Sequence, residues 1–297
     1  MTRGFGENDP KRIEKRDYTA TVIGMGRGME RQLLVNGLGM TAMTPVAKFM
    51  AHMPLASLNH PPQKGLIICF GMGTTFRSMM SWGIDTTAVE LVPSVPKVFG
   101  YFHSDGPELL NSRHSNVVID DGRRFLERST EKYDVITIDP PPPVGAPTSS
   151  LLYSREFYSI MKNHLRPGGV VQIWLPGKDP GTRAAVAKAL NDSFRQVRVF
   201  EAIPEFEVGG LHFLASADGV VPEKNASELA SQLPMPARED FVEWGPYKTA
   251  EEMFACLLQR ERPLESIIAE DPRVPPIDDD QPINEYFFLR WNFHYYR

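Results

Sequence analysis

Segments of apolar, strand-forming residues alternate with helical segments over much of the chain, and no other feature of the sequence constrains the fold as strongly. An apolar run such as Gly65–Phe70 fits a strand that is buried on both faces. The predicted strands are 65–70, 86–91, 115–120, 133–139 and 170–174, and the predicted helices are 75–82, 96–103, 122–129, 154–165 and 182–194. Strands that alternate with helices at this spacing form a parallel sheet covered by helices.

Two more strands, 196–201 and 211–216, follow one another without a helix between them. A short connection of this kind makes a strand pair antiparallel, so we expect both strands at one edge of the sheet. The sequence therefore predicts an α/β fold. A Rossmann-like domain over residues 59–220 would hold a mostly parallel seven-stranded sheet with an antiparallel edge.

Three segments lie outside this predicted domain. Residues 1–17 are polar and charged, and we expect a flexible leader. Residues 18–58 are expected to form a β-rich N-terminal piece followed by a helix that Pro54 ends or kinks. Residues 221–297 are predicted to be a helical and irregular C-terminal extension. Its aromatic end, 286–296, is apolar enough that we expect it to pack back on the domain or against a partner chain.

Charge and cysteine content exclude several classes of protein. The chain has 32 Lys and Arg against 37 Asp and Glu, a net charge of −5 without a long basic run, so nucleic acid is not an expected partner. Cys69 and Cys256 are the two cysteines, and we expect both to be buried free thiols. The lack of a disulfide framework favours a reducing, cytoplasmic location. No apolar run reaches the roughly 20 residues of a membrane-spanning helix.

The residues that end the predicted strands are the candidates for ligand binding, because ligands of such sheets lie beyond the carboxyl ends of the strands. The first strand is followed by Gly71-Met72-Gly73, a turn at which the backbone can approach a ligand closely. The second ends at Glu90-Leu91, where an acidic residue can accept both hydroxyls of a ribose. The third ends at Asp120-Asp121-Gly122, where Asp121 can accept a hydrogen bond from an adenine amino group, cap the following helix, or do both. In this order the three strand ends predict an adenosine-binding site.

The glycine turn does not fit a dinucleotide. Phe76 stands where the third glycine of a Gly-x-Gly-x-x-Gly pattern would fall. A cofactor without a pyrophosphate, such as S-adenosylmethionine, tolerates this change. The sequence therefore predicts an adenosyl sulfonium of the S-adenosylmethionine type as the ligand, and no metal.

The fourth predicted strand leads through Asp139 into four prolines that begin at Pro140. Consecutive prolines have fixed φ angles and no N–H, so they form a stiff wall beside this carboxylate. We predict that Asp139 and Pro140 face the substrate, whereas Tyr153 either lines the same pocket or packs at the start of a helix. Asp134 begins the same strand, at the end away from the ligand edge, and is expected to be solvated.

Several short motifs occur in the order found in spermidine synthases. They are Asn36-Gly37, Phe70-Gly71-Met72-Gly73, Val89-Glu90, Asp120-Asp121-Gly122, the segment 133–139, Pro143-Val144-Gly145, the segment 152–158, and Leu165-Arg166-Pro167-Gly168-Gly169. Over about residues 30–215 the chain resembles this family of polyamine aminopropyltransferases, in particular the bacterial spermidine synthase-like domains that are often fused to membrane segments.

The resemblance implies the Rossmann-like fold of the S-adenosylmethionine-dependent methyltransferases, with decarboxylated S-adenosylmethionine and a polyamine as the substrates. Glu90 would hold the ribose, Asp121 the adenine, and Asp139 would take a proton from the attacking amine. An alkylammonium has a pKa near ~10, so at neutral pH it must lose a proton before it can attack the carbon beside the sulfonium.

The chain departs from the family pattern on the acceptor side. The family has an acidic residue where this chain has Gly73, and a second one three residues after the base, where this chain has Pro142. A glutamine of the N-terminal piece corresponds to Met40, and a tyrosine of the next helix falls near Val46. The adenosyl side of the family site is therefore retained, whereas much of the diamine-binding side is missing.

Three functions are compatible with these observations. The first is a spermidine synthase-like transferase that moves an aminopropyl group to a small-molecule amine. The second is an S-adenosylmethionine-dependent methyltransferase, which is favoured by Gly73 and by Asp139-Pro140-Pro141, a sequence similar to the Asp-Pro-Pro-Tyr loop of amino-methylating enzymes. The third is a non-catalytic nucleoside-binding module. The resemblance also implies a membrane-embedded partner, and a homodimer is the expected assembly.

Overall fold

The computed structural model describes residues 12–140, 149–206 and 209–286, and within them the chain forms two β-sheets. The smaller sheet is an antiparallel meander of four strands, β1 (Ile13–Arg16), β2 (Thr21–Met25), β3 (Gln32–Val35) and β4 (Leu38–Ala42). Asn36 and Gly37 connect β3 to β4 with φ angles of 53° and 80°. A two-residue turn of type I′ requires positive φ at both positions, and asparagine followed by glycine is its preferred sequence.

The prediction of a flexible leader over residues 1–17 is wrong for its last part. Ile13–Arg16 pairs with β2, with Ile13 opposite Gly24, and Asp17 accepts the N–H of Ser94 at 2.6 Å. Three of the four residues of β1 are exposed. An edge strand that faces solvent therefore has the same charged composition as a leader. Residues 1–11 and the aromatic end 287–297 lie outside the described residues.

The larger sheet has eight strands. They are β5 (Lys64–Ile68), β6 (Asp85–Glu90), β7 (Ser115–Ile119), β8 (Tyr133–Ile138), β9 (Leu165–Pro176), β10 (Val197–Glu201), β11 (Gly210–Ser216) and β12 (Glu261–Arg262). The spatial order is β12-β10-β11-β9-β8-β5-β6-β7. Strands β5 to β9 pair in parallel, whereas β10, β11 and β12 add an antiparallel edge. The predicted sheet is confirmed, and the eighth strand is a two-residue pairing too short to leave a sequence pattern.

Helices cover both faces of this sheet. They are α1 (Val46–Ser57), α2 (Thr74–Met80), α3 (Phe99–Phe102), α4 (Gly106–Leu110), α5 (Gly122–Arg128), α6 (Arg155–Asn163), α7 (Pro180–Ser193), α8 (Ala226–Gln232), α9 (Met235–Val242), α10 (Ala250–Leu258) and α11 (Leu264–Ile268). One apolar core lies under α1, α2, α8, α9 and α10, and the other under α5, α6, α7 and α11. The central strands are therefore buried on both faces, which explains their apolar runs.

Pro54 does not end α1, which continues to Ser57. A proline has no N–H, so the carbonyl oxygen of Met50, four residues earlier, lacks its helical donor. The hydroxyl of Thr137 in β8 donates a hydrogen bond to this oxygen at 2.9 Å. The sheet thus satisfies the carbonyl that the proline leaves free, and the same bond fixes α1 on the centre of the sheet.

Asp134, which we expected to be solvated, is buried at the amino end of β8. Its carboxylate accepts the backbone N–H groups of Gln63 and Lys64, each at 2.8 Å. It also lies 3.1 Å from His60 Nε2 and 3.2 Å from Arg166 Nη1. Burial raises the pKa of Asp134, but these partners outweigh burial and the pKa is lowered. Asp134 therefore anchors the segment that enters β5, at the opposite edge of the sheet from the candidate site.

A buried cluster of charges attaches the C-terminal extension to α1 and α2. Lys48 Nζ, which has no exposed surface, donates to Asp240 Oδ1 at 2.9 Å, and His52 Nε2 lies 2.8 Å from Asp240 Oδ2. From α2, Ser78 Oγ donates to Asp240 Oδ2 at 2.6 Å and Arg77 Nη1 donates to Asp240 Oδ1 at 2.5 Å. Burial raises the pKa of Asp240, but these partners outweigh burial and hold it well below its usual value. Asp240 of α9 thus joins both helices.

Replacing Asp240 with asparagine should destabilise the protein by about 3 kcal/mol, because Lys48 would remain buried with one carboxylate partner removed. Urea unfolding at pH 7 measures this change. The depressed pKa of Asp240 also sets a pH dependence: its contribution to stability is fully present above the unfolded-state pKa near ~4 and declines as the pH falls further.

The matched control for this prediction is Asp85→Asn, which removes a carboxylate whose side chain is 62% exposed and contacts His114. An exposed pair of this kind should change the free energy of unfolding by less than about 1 kcal/mol. Equal effects of the two substitutions would contradict the anchoring role of Asp240.

Candidate active site

Strands β5, β6 and β8 bring the predicted site residues to one edge of the larger sheet. The strand order reverses at β5, because the chain continues to β6 and β7 on one side and later returns to β8 on the other. The carboxyl ends of parallel strands leave a crevice at such a point. The turn 71–73 follows β5, Glu90 ends β6, and Asp139 follows β8.

The turn after β5 contains three residues with positive φ, Cys69 (73°), Gly71 (55°) and Gly73 (81°). A Cβ atom at Gly73 would lie 2.3 Å from Cε2 of Phe99, so only glycine fits there. No atom of the described residues lies within 4 Å of a Cβ placed at Gly71, whereas Met72 is buried. The acidic side chain that the family resemblance implies at position 73 has no room unless Phe99 moves.

Glu90 holds this turn through its buried carboxylate. Oε2 accepts the N–H of Phe70 at 2.9 Å, and Oε1 accepts the N–H of Val92 at 2.9 Å. Burial raises the pKa of Glu90, and these backbone donors lower it without cancelling the rise. The backbone N–H groups of Gly71 and Leu91 also lower the pKa of Glu90, so one carboxylate joins the ends of β5 and β6 through several backbone donors.

Asp121 caps α5, and Gly122 packs the start of that helix onto β5. The Asp121 carboxylate accepts the N–H of Arg124 at 2.9 Å, which confirms the capping role, while the side chain stays exposed. Asp120 Oδ1 accepts a hydrogen bond from Arg124 Nε at 2.7 Å, and this contact lowers the pKa of Asp120. A Cβ at Gly122 would lie 2.5 Å from Cγ2 of Ile68. Glycine therefore allows α5 to approach the end of β5.

Two aliphatic side chains are exposed at the same edge. Leu91, directly after Glu90, is 59% exposed, and Ile119, directly before Asp120, is 43% exposed. Apolar side chains beside a few polar groups are typical of small-molecule sites. They offer a surface against which a flat, apolar ring can pack.

Asp139 follows β8 and is half-buried. Its N–H donates to the carbonyl oxygen of Ile68 at 3.0 Å, and its Oδ2 accepts a hydrogen bond from Thr75 Oγ1 at 2.8 Å. Burial raises the pKa of Asp139 to about 6; the Thr75 hydrogen bond acts against this rise, and Glu90 adds to it. A carboxylate with this pKa is ionised at neutral pH and can still take up a proton, as a general base must. Pro140 is buried beside it, and residues 141–148 lie outside the described residues.

Cys69 lies among the candidate acids, a position that the sequence reasoning missed. Burial raises the pKa of the Cys69 thiol well above its usual value, and the carboxylates of Glu90, Asp139 and Asp121 raise it further. Hydrogen bonds place two of these acids beside Cys69: Glu90 accepts the N–H of Phe70, the next residue, and Asp139 donates its N–H to the carbonyl oxygen of Ile68, the preceding residue. Cys69 and Cys256 are free and partly exposed rather than buried. The position of Cys69 directly after an apolar strand was the signal that it faces the crevice.

Tyr153 forms a buried wall next to this group. The side chain has no exposed surface, and its hydroxyl donates to the carbonyl oxygen of Trp174 in β9 at 3.1 Å. Burial raises the pKa of Tyr153, and Tyr158, Cys69 and Asp139 contribute to the rise. These contacts agree with the alternative in which Tyr153 packs at the start of a helix. A contact between Tyr153 and the substrate stays a prediction.

The C-terminal extension also reaches the edge of the site. Arg123, two residues after Asp121, donates from both terminal nitrogens to the carboxylate of Asp279 at 2.8 and 2.7 Å. Glu285 accepts the N–H of Ser150 at 3.1 Å. These partners are 156 and 135 residues apart in sequence, so no local pattern could predict them. The tail thus supports the two segments that flank the crevice.

The arrangement favours a ligand with hydroxyl donors or positive charge, because its polar groups are carboxylates. Within residues 12–140, 149–206 and 209–286, no group of three or more His, Cys, Asp or Glu side chains could hold a metal ion. No helix in the same part of the chain is long and apolar enough to cross a membrane.

Known proteins resemble this chain in sequence. The spermine/spermidine synthase domain matches residues 43–218, more than half of the chain. A polyamine aminopropyltransferase of Thermoplasma volcanium is 30% identical over 179 residues, which cover 59% of this chain and 65% of that protein. Polyamine aminopropyltransferase 2 of Hyperthermus butylicus is 32% identical over 193 residues, covering 61% of this chain and 61% of that protein. The chain thus spans less than two thirds of the length of these curated relatives.

Solved structures resemble it in fold. The spermidine synthase from Thermotoga maritima matches with a TM-score of 0.66 at 16% identity, over 86% of this chain and 87% of that chain. A spermidine synthase in complex with the transition-state analogue AdoDATO matches with a TM-score of 0.65 at 16% identity, over 86% of both chains. At this identity the likeness shows a shared fold alone.

Replacing Glu90 with glutamine should lower the free energy of unfolding by about 1–3 kcal/mol. The amide nitrogen would face one of the two backbone N–H donors and leave a buried donor unsatisfied. Thermal unfolding at pH 7 measures the loss. Asp121→Asn keeps an acceptor at the start of α5 and should cost less than about 0.5 kcal/mol. If Glu90→Gln is as stable as Asp121→Asn, the carboxylate does not hold the turn.

Proposed function

This chain belongs to the spermine/spermidine synthase family, and we propose that it is an aminopropyltransferase that uses decarboxylated S-adenosylmethionine and an amine acceptor. Because the chain spans less than two thirds of its curated relatives, the activity and the substrates are inferred from the site. The observation that carries the proposal is that three acid-bearing strand ends meet at the end of β5: Glu90 accepts the N–H of Phe70, Asp139 donates its N–H to Ile68, and Gly122, next to Asp121, packs against Ile68.

We assign the adenosyl part of the cosubstrate to the turn 71–73, to Glu90 and Leu91, and to the segment 120–122. Glu90 would accept the ribose hydroxyls at its carboxylate, which the backbone N–H groups of Phe70 and Val92 hold in place. The exposed carboxylate of Asp121 would accept the adenine amino group, and Leu91 would support the base. When bound, this cosubstrate supplies a sulfonium, which makes the adjacent propyl carbon open to attack by an amine.

Asp139 is the residue that we propose as the general base. An acceptor amine arrives as an ammonium with a pKa near ~10, and its proton passes to the carboxylate. The lone pair then forms a bond to the propyl carbon. The carbon–sulfur bond breaks, its electron pair goes to sulfur, and methylthioadenosine leaves as a neutral thioether. The half-buried position of Asp139 strengthens its attraction for an ammonium, because water screens the pair less than at the surface.

The acceptor side differs from the family pattern. Phe99 fills the space beside Gly73, where the family resemblance implies an acid, and Val46 is buried. Pro142, the other departure near the base, lies outside the described residues. We therefore propose an acceptor that is recognised through one ammonium at Asp139. A homodimer and a membrane-embedded partner stay predictions.

Replacing Asp139 with asparagine should lower the rate of aminopropyl transfer by ~10²–10⁴-fold, because an amide cannot take up the proton. The affinity for decarboxylated S-adenosylmethionine should stay within a few-fold of wild type. Amine-dependent release of methylthioadenosine measures the rate, and calorimetry measures the affinity. Asp85→Asn, on an exposed carboxylate at the opposite end of β6, is the control and should leave both values unchanged.

The pH dependence gives a further check on Asp139. Because its pKa is raised to about 6, the wild-type rate should fall below about pH 6, where the carboxyl is protonated, and level off above it. Asp139→Asn should lack this acidic limb. A variant that keeps the wild-type rate and limb would remove Asp139 from the role of base.

Binding of the two cofactor forms separates aminopropyl transfer from methyl transfer. We expect the decarboxylated form to bind more tightly, because the carboxylate of S-adenosylmethionine itself would be repelled by the acids of the site. Calorimetric titration with both forms measures the preference. A clear preference for S-adenosylmethionine would favour a methyltransferase. Binding of either form without any amine-dependent release of methylthioadenosine would favour a non-catalytic module.

A further inference from the structure

The hydroxyl of Thr75 lies between two hydrogen-bond acceptors. Thr75, the second residue of α2, has no exposed surface. Its Oγ1 is 2.8 Å from Asp139 Oδ2 and 3.1 Å from the carbonyl oxygen of Ala47 in α1. An ionised carboxylate and a backbone carbonyl can only accept, and a hydroxyl has one proton to donate. The Thr75 hydroxyl can therefore donate its hydrogen bond to only one of the two oxygens at a time.

The second acceptor matters when Asp139 becomes protonated. An ionised Asp139 accepts the Thr75 proton, whereas a protonated Asp139 is itself a donor and needs an acceptor. Rotation of the Thr75 hydroxyl toward Ala47 turns its oxygen lone pairs toward Asp139. The same pair of residues is then satisfied in both protonation states, without movement of the backbone.

We propose that Thr75 is a positioning residue for Asp139: its hydroxyl donates to the ionised carboxylate, turns to the Ala47 carbonyl when the carboxyl is protonated, and so holds both forms of the base in one geometry. The consequence for catalysis rests on the aminopropyl transfer proposed above. The hydrogen-bond switch itself is a property of the protein without substrate.

The charges near Asp139 show why its ionised form depends on the hydrogen bond from Thr75. The titratable groups near Asp139 on the neighbouring elements are Glu90 at the end of β6, which raises the pKa of Asp139, and Cys69 after β5 and Tyr153 before α6, whose pKa values Asp139 raises. Each of these is neutral or negative, and no lysine, arginine or histidine of the described chain shifts the pKa of Asp139. Burial and the charge of Glu90 both disfavour the ionised form of Asp139. Among the described residues, the Thr75 hydroxyl is the side-chain donor that offsets these two effects.

The acceptor on α1 is held in place from two other directions. Thr137 of β8 donates to the carbonyl oxygen of Met50, one turn after Ala47. Lys48, the residue after Ala47, pairs with Asp240 of the C-terminal extension. The carbonyl of Ala47 is thus a fixed point toward which the Thr75 hydroxyl can turn.

The test is the titration of Asp139 in the full chain without substrate, followed by carboxyl ¹³C NMR and assigned with Asp139→Asn. Thr75→Val, which keeps the shape and removes the hydroxyl, should raise the midpoint by about one pH unit, because a hydrogen bond to a charged group is lost. Thr75→Ser should titrate like wild type. Thr74→Val is the matched control, because Thr74 is also buried in α2 and its hydroxyl contacts His103 rather than Asp139.

The rate of transfer gives the second readout. For Thr75→Val, the acidic limb of kcat/KM should move with the midpoint, so that the rate falls about tenfold at pH 5 and changes little at pH 8.5. Thr75→Ser should restore the wild-type profile, which a general loss of packing would not explain. Should Thr75→Val fail to fold, Thr75→Ala removes the same hydroxyl from a smaller side chain.

The two readouts separate this inference from the proposed function. An unchanged midpoint in Thr75→Val, or in Thr75→Ala, overturns the positioning role whether or not the protein transfers aminopropyl groups. A raised midpoint in a protein that shows no transfer supports the positioning role and counts against the proposed function. An equal rise in Thr74→Val would show that packing of α2, and not the Thr75 hydroxyl, sets the titration of Asp139, and would also overturn it.

Discussion

The carboxylate of Glu90 is the contact on which the candidate site depends. Phe70 and Val92 each turn a backbone N–H toward it, so a single buried side chain fixes the ends of β5 and β6 relative to one another. Burial of an acid costs free energy, and these donors offset part of that cost. The N–H of Phe70 is directed at this acid rather than outward, which agrees with a cofactor that has no phosphate to cradle.

Helix α1 connects the rest of the fold to the acid that we propose as the base. The carbonyl of Met50 is held by the sheet, that of Ala47 lies against α2, and Lys48 pairs with the C-terminal extension. The N-terminal piece, the sheet and the extension therefore meet on one helix. Through Thr75, this helix lies one hydrogen bond away from Asp139. A support built from several elements keeps a catalytic group in one orientation, as preorganisation requires.

The adenosyl edge and the acceptor side obey different constraints. Glu90 and Asp121 are hydrogen-bonded to the backbone that surrounds them, so they serve the fold in addition to the ligand-binding role that we propose for them. Position 73, in contrast, is closed by Phe99, and an acidic side chain has no space there. This difference is compatible with a member of the family that keeps the proposed nucleoside edge and has the changed acceptor recognition that we propose.

The sequence by itself determined the parallel sheet and the residues at its carboxyl edge, Gly71, Glu90, Asp121 and Asp139, because alternation and strand ends are local patterns. Only the tertiary structure decided that Cys69 lies near the acids and that the hydroxyls of Thr75 and Thr137 reach Asp139 and α1, respectively. It also decided that Pro54 stays inside a helix and that charged residues near the N-terminus form a strand. Those outcomes depend on contacts between residues that are remote along the chain, such as Thr75 and Asp139, which are 64 positions apart. Which side chains face each other is fixed when the elements pack, and no local pattern records it.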